Sequence, residues 1–372
     1  MSSAFWISNN QLDHEQRQAV QNIDADASFL IKGPAGSGKT NILLLRAKWL
    51  ILKKISHLKI VVFTGSLRDF VAEGAEQYGL SADIVTTQMQ FFKTLLSEYS
   101  IEYELSGNFQ DDRSLLAGKA KSLVDSGKIS NDYIGTLLID ESQDYTDTEL
   151  LVFRGLTKRL VLAADSRQSI YQVTHTPNLP EQIVGDQIVT LLHHYRSGLN
   201  LCTVADGILT DAAIYPRLTP ECGYREKERP SSVVLVESPA FNDQLQEIVD
   251  NVRPQFLLYP DERIGVLFPK KEQVLEFKEY AKTIFSSDEL DRLRMYTLHA
   301  AKGWEFVAVH IGACETLPRM GPIQKRLIYT GILRAKTSVH LYCSGRVPGY
   351  LDSALGRLSP PVGDPPFDSL FN

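Results

Sequence analysis

Residues 33–40 read GPAGSGKT, and about a hundred residues later comes LIDESQDYTD. The first stretch follows the apolar run Phe29-Leu30-Ile31 and opens a helix-favouring run. A glycine loop between a strand and a helix turns its backbone N–H groups onto phosphate oxygens. Lys39 is then placed to neutralise β- and γ-phosphates, and Thr40 to ligate Mg²⁺. Gly33, Gly36 and Gly38 let the backbone approach phosphate closely, and Pro34, Ala35, Ser37 and Asn41 complete the expected nucleotide cradle. The second stretch ends the buried run Leu137-Leu138-Ile139 with adjacent carboxylates. Asp140 suits a water-mediated hold on Mg²⁺, and Glu141 suits the base that deprotonates the attacking water. Neither stretch is specific alone; together they are the minimum equipment for hydrolysing a nucleoside triphosphate.

Both halves of the chain alternate apolar runs with helical patterns, which predicts α/β units with parallel sheets. In the first half, strands are expected at Phe29–Lys32, Ile60–Thr64, Thr136–Asp140 and Leu160–Asp165. In the second they are expected at Ile188–Leu191, Val233–Glu237, Ile264–Phe268, Phe306–Gly312 and Ser338–Cys343. Helices are expected at Lys39–Lys53 and Lys271–Thr283. A length of 372 residues predicts two domains. The expected division is 1–175, with a small helical insertion at about 95–133, then 176–350, then a Pro-rich tail at 351–372. Residues Val173–Gly185, with two prolines and no periodicity, suit a linker.

Cys202, Cys222, Cys314 and Cys343 form no C-x-x-C pair, which argues against a zinc site, a cluster or a disulfide framework and fits a reducing cytoplasm. The N-terminal MSSAFWISNN lacks a basic flank followed by an apolar core, so no signal peptide is expected. The apolar stretch Ile42–Leu52 is too short and too charged to span a membrane. A net charge of −6 does not advertise a nucleic-acid partner, although a local basic groove can sit in an acidic protein.

LIDESQD resembles the D-E-x-Q-D box of superfamily 1 helicases of the UvrD, Rep and PcrA kind, and further segments follow in that family's order. LDHEQRQAV (12–20) resembles its adenine-reading segment, with Gln16 on the adenine edge. VVFT (61–64) places Phe63 where that family has a base-stacking aromatic, next to Thr64. LAADSRQSIY (162–171) makes Gln168 the residue coupling γ-phosphate to DNA, with Tyr171 beside it. LHHYRS (192–197) makes Tyr195 the adenine-stacking ring and Arg196 a γ-phosphate contact. LHAAKGWEF (298–306) implicates His299, Lys302, Gly303 and Glu305. KRLIYTGILRAK (325–336) makes Arg334 an arginine finger. The resemblance covers residues 12–336. It implies two RecA-like P-loop domains, each around a mainly parallel sheet, with ATP and Mg²⁺ in the interdomain cleft and single-stranded DNA as partner. Phe63, Thr64, Thr87, Tyr171 and His299 are the nucleic-acid candidates it supplies.

The departures from that pattern fall on the DNA side. Val173 stands where the family has a wedge aromatic, and Met89 where it has a DNA-contacting histidine after Thr87. Ala164 replaces a glycine, His194 an asparagine and Leu333 a threonine. Trp304 suits the core and a base-stacking surface equally. The two large inserted subdomains of the family are reduced to about forty residues and to none, respectively. The expected activity is therefore an ATP-driven translocase or helicase on single-stranded DNA, aided by a protein partner such as a nuclease. The rival expectation is an ATP-driven regulatory switch with weakened DNA binding. A P-loop small-molecule kinase fits only the first motif.

Overall fold

A computed structural model describes residues 12–165, 167, 176–212, 214–317 and 322–358. The chain forms two compact units, one of residues 1–195 with Lys302–Trp304, the other of residues 196–301 with 305–372. No helix among the described residues is long and apolar enough to cross a membrane.

The first unit is built on β1 (Phe29–Lys32), β2 (Leu58–Val62), β3 (Val85–Thr87), β4 (Thr136–Ile139), β5 (Arg159–Ala164) and β6 (Ile188–Thr190). They form one sheet in the order β3-β2-β4-β5-β1-β6, every pair parallel. Its helices are α1 (His14–Arg17), α2 (Lys39–Leu52), α3 (Gly65–Gln77), α4 (Gln88–Glu98), α5 (Phe109–Asp125), α6 (Asp147–Leu156) and α7 (Leu179–Ile183). β1 and β4 read as unbroken apolar runs because both faces of a parallel sheet are covered by helices. Helices α4 and α5 close one core against α6 through Phe91, Phe92, Leu116, Ala120 and Phe153.

The second unit carries β7 (Ser232–Glu237), β8 (Ile264–Phe268), β9 (Leu293–Thr297), β10 (Phe306–Ile311) and β11 (Ala335–Cys343) in the order β7-β11-β10-β8-β9, again all parallel. Around it lie α8 (Leu199–Ile208), α9 (Phe241–Leu258), α10 (Lys271–Lys282), α11 (Ser287–Arg292), α12 (Pro322–Ile332) and α13 (Gly349–Leu355). Its core gathers Ile248, Val252, Val266, Phe268, Phe277 and Tyr342.

The α/β class with two parallel sheets is as expected. Three elements differ from the sequence expectation. β6, read with the second half, pairs with β1 and so closes the first sheet; the first unit runs to Tyr195 rather than residue 175. β3 and β9 were not expected. Both are edge strands only partly buried, so neither carries a continuous apolar run. In the second unit the Cys202 and Cys222 thiols, twenty residues apart in the chain, share the Ser197 carbonyl, at 3.5 Å each. The neighbouring Cys202 brings the Cys222 thiol down to about 7.

Candidate nucleotide site and its flanks

The glycine loop joins β1 to α2 and is held open by its own geometry. Gly36 (φ 76°) and Gly38 (φ 87°) lie in the left-handed region that side chains disfavour. At Gly33 a Cβ would come within 2.7 Å of Ser37 Oγ and 2.9 Å of Leu191 Cβ. Ser37 Oγ donates to the Pro34 carbonyl at 2.9 Å. Lys39 is buried and donates to the Gly33 and Pro34 carbonyls at 2.9 Å each, so its ammonium folds back over the loop it follows. Burial lowers its pKa from the ordinary lysine value; Asp165, Glu141 and Asp140 pull it back.

Parallel pairing brings the ends of β1 and β4 to the same side of the sheet. Thr40 Oγ1 there donates to Asp140 Oδ2 at 2.7 Å. Burial and then the neighbouring Glu141 raise the Asp140 carboxyl above the usual range, opposed by the Thr40 hydrogen bond and by Lys39. A hydroxyl and a carboxylate oxygen side by side are hard donors and fit Mg²⁺. Glu141 is buried and adopts a left-handed backbone (φ 52°) that is rare outside glycine. Such strain, of order 1 kcal/mol, persists where surrounding contacts over-determine it. Here they do: Gln143 Nε2 donates to Glu141 Oε2, and Gln143 Oε1 accepts the Asp165 N–H at 3.0 Å. Asp144 N donates to the Glu141 carbonyl at 2.9 Å.

Lys302 enters this cluster from far along the chain, 3% exposed. Its Nζ lies 2.5 Å from Asp144 Oδ2 and 3.8 Å from Glu141 Oε2. Burial raises the Asp144 carboxyl, and Lys302 works against that rise. Next to it, Gly303 (φ 89°) lies in the left-handed region that side chains disfavour, and a Cβ there would meet Leu67 Cδ1 at 2.5 Å. Trp304 packs into the core, tilted against Phe70 at 5.9 Å.

Beside the loop, Gln16 is buried and donates to the Ser37 carbonyl at 2.9 Å. It is fixed by a reciprocal cap with Asp13, at 2.8 and 3.1 Å. Tyr195 donates its hydroxyl to Asp13 Oδ2 at 2.8 Å and its N–H to the Gly36 carbonyl at 3.1 Å, leaving its ring 42% exposed. Asn41 is buried and accepts from Tyr78 at 2.9 Å. Arg46 was not singled out by sequence. It is wholly buried, donates to the Val20, Ile23 and Asp24 carbonyls at 3.1, 2.9 and 2.6 Å, and stacks on Trp49. It thereby ties the segment after Gln16 to α2. A lone arginine inside a helical run gives no sequence signal for this.

The residues expected on a nucleic-acid side are placed less openly. Phe63 is 6% exposed; Tyr145 and Phe109 meet it edge-on at 5.6 and 6.0 Å, and the Arg113 guanidinium lies 4.9 Å from its centroid. Thr64 and Thr87 cap α3 and α4 through their hydroxyls. Met89 packs against the core. Gln168 and Tyr171 lie outside the described residues.

In the second unit, Arg196 pairs with Glu305 and donates to the Leu333 carbonyl at 2.8 Å. Arg334 is buried, its Nε donating to the Thr330 carbonyl at 3.1 Å. His299 is exposed, just beyond β9.

Residues 16–174 match the AAA_19 family model, an AAA domain. The match spans the glycine loop and both carboxylates, so the first unit carries a nucleotide-binding P-loop fold. No curated protein matches the chain. Among solved structures, the helicase nonstructural protein 10 of an arterivirus is similar over 92% of this chain and 64% of its own, at 14% identity and a TM-score of 0.45. The PRRSV helicase is similar over 87% of this chain and 54% of its own, at 14% identity and a TM-score of 0.44. The chain thus spans less than two thirds of the length of either helicase.

Proposed function

We propose that this chain hydrolyses ATP and uses the turnover to move along single-stranded DNA, in the manner of the superfamily 1 helicases its motifs resemble. One observation carries the proposal: Lys39, Thr40, Asp140 and Glu141 converge at one end of a parallel sheet, with the Thr40–Asp140 contact at 2.7 Å. In this reading the loop N–H groups and Lys39 take the phosphates. Thr40 and Asp140 hold Mg²⁺, which supplies charge neutralisation on the phosphate oxygens. Glu141 accepts the proton of the attacking water. Gln16 and the exposed face of Tyr195 take the adenine. Arg196 and Arg334 take the transition-state charge, and Glu305 and Gly303 support the nucleotide-binding motifs around them. Gln168 reports the phosphate to the nucleic acid.

A second reading is favoured by the closed surroundings of Phe63 and the inward Met89. Each base stacked on an aromatic contributes about 1–3 kcal/mol, and a covered ring contributes none. The chain is then an ATP-driven switch that signals to a protein partner. Two measurements decide. Glu141→Gln is expected to abolish ATP turnover while leaving nucleotide binding intact; unchanged turnover refutes the hydrolytic assignment. Single-stranded DNA is expected to stimulate wild-type turnover at low salt, where phosphate contacts are strongest. Absence of stimulation there favours the switch.

A further inference from the structure

Arg113 belongs to no motif, yet it is the most deeply buried charged side chain of helix α5. It is 1% exposed and grips the equally buried Glu149 with both arms of its fork, Nε to Oε1 at 2.7 Å and Nη2 to Oε2 at 2.5 Å. The same Nη2 donates to the Asp144 carbonyl at 2.6 Å. That carbonyl belongs to the turn which Asp144 N closes onto Glu141 O at 2.9 Å. Glu149 in turn accepts the Thr146 N–H at 2.7 Å and Gln88 Nε2 at 2.6 Å. Gln88 follows Thr87, and the guanidinium covers Phe63. One buried ion pair therefore touches the ends of β2 and β3, where the resemblance places nucleic-acid contacts, and the turn that carries the hydrolytic carboxylate.

We propose that Arg113, held by Glu149, is a positioning residue: it fixes the Asp144 end of the Glu141 turn and transmits to it the state of the Phe63 and Thr87 edge. The inference rests on the proposed ATPase function. A buried pair of this kind is a poor stabiliser relative to apolar residues of similar volume, and removing one partner is far worse than removing both. Only Arg offers a planar fork that serves Glu149 and a backbone carbonyl together, and Lys cannot replace it at such a site.

The test is steady-state ATP turnover of the full chain, with and without a single-stranded DNA oligonucleotide at low salt, in the wild type, Arg113→Met/Glu149→Leu, Arg113→Lys and Glu141→Gln. The double variant is expected to melt within a few degrees of wild type and to keep KM for ATP within about twofold. Its kcat with oligonucleotide is expected to fall at least tenfold, as expected when a group that acts only in the transition state is misplaced. A double variant with wild-type kcat, while Glu141→Gln is inactive, overturns the inference and leaves the ATPase function standing. Wild-type turnover that Glu141→Gln does not change overturns both. Should the double variant fail to fold, Arg113→Lys decides on the same readouts: a tenfold loss in kcat at unchanged KM supports the positioning role, and wild-type kcat refutes it.

Discussion

Lys302→Met isolates the consequence of bringing one cation into a buried group of carboxylates. Lys302 is 3% exposed and Asp144 is fully buried, so water screens neither. Removing one partner of a buried pair costs about 3–5 kcal/mol, because the other charge is left uncompensated. A unit of this size melts about 2–4 °C lower per kcal/mol lost, so the midpoint is expected to fall on the order of 10 °C at pH 8. The sign of the pH dependence follows from Asp144. Its carboxyl is already raised in the folded protein by burial, with Lys302 opposing; without Lys302 it rises further. A carboxyl whose folded pKa exceeds its unfolded value of about 3.9 binds more protons when folded, so stability is gained as pH falls. The deficit of Lys302→Met is therefore largest at pH 8 and narrows toward pH 5.5, as Asp144 takes up the proton that replaces the missing ammonium. Thermal melts of both proteins at the two pH values provide the assay. A deficit below about 1 kcal/mol at pH 8, the range of exposed pairs, or one equal at both pH values, refutes the account.

Three further outcomes are expected. Gly33→Ala forces the loop past Ser37 and Leu191; with overpacking worth about 1–3 kcal/mol, nucleotide affinity measured by titration is expected to fall about tenfold or more, and an unchanged Kd counts against the close approach. Arg46→Met removes the donor to three carbonyls after Gln16; the protein is expected to lose stability and ATP affinity together, and loss of neither denies Arg46 its anchoring role. His310 sits buried between Tyr342 and Gln255, at 2.8 and 2.9 Å, and burial, then His340, hold its pKa well below the ordinary histidine value. The unfolded chain therefore binds the extra proton first, and stability is expected to fall below about pH 6.5, by up to about 1.4 kcal/mol per pH unit. Urea midpoints for His310→Gln should decline less between pH 7 and 5 than those of wild type, and parallel slopes would discount His310.

The sequence made the glycine-loop end of the first unit legible because a strand, a glycine loop and a helix leave a contiguous signature, and Asp140 and Glu141 end an unbroken apolar run. Phe29–Lys32 and Ile264–Phe268 were readable to the residue for the same reason: buried parallel strands are apolar on both faces. β3 and β9 escaped because edge strands bury only part of their surface. The membership of β6 in the first sheet escaped because pairing partners are set by tertiary packing, not by proximity in the chain. Within the site, Lys302 and Asp144 were both visible as motif letters, but their pairing across the chain was not. The run Asp111-Asp112-Arg113 reads as solvated loop charge, yet Arg113 is buried in α5; Glu149 and Arg46 were silent. A charged residue on a helix reads as solvated surface unless the partner that buries it is known, and each of these partners is tens of residues away or is a backbone carbonyl.

The return of Lys302–Trp304 into the first unit has a consequence for how this protein is made and dissected. A fragment ending at Tyr195 contains the glycine loop, both carboxylates and the whole first sheet, yet it lacks the ammonium opposite Asp144 and the indole against Phe70. On the ribosome, the first unit waits for about a hundred further residues before its last three arrive. The Glu141–Asp144 turn is the last part of its own unit to be completed.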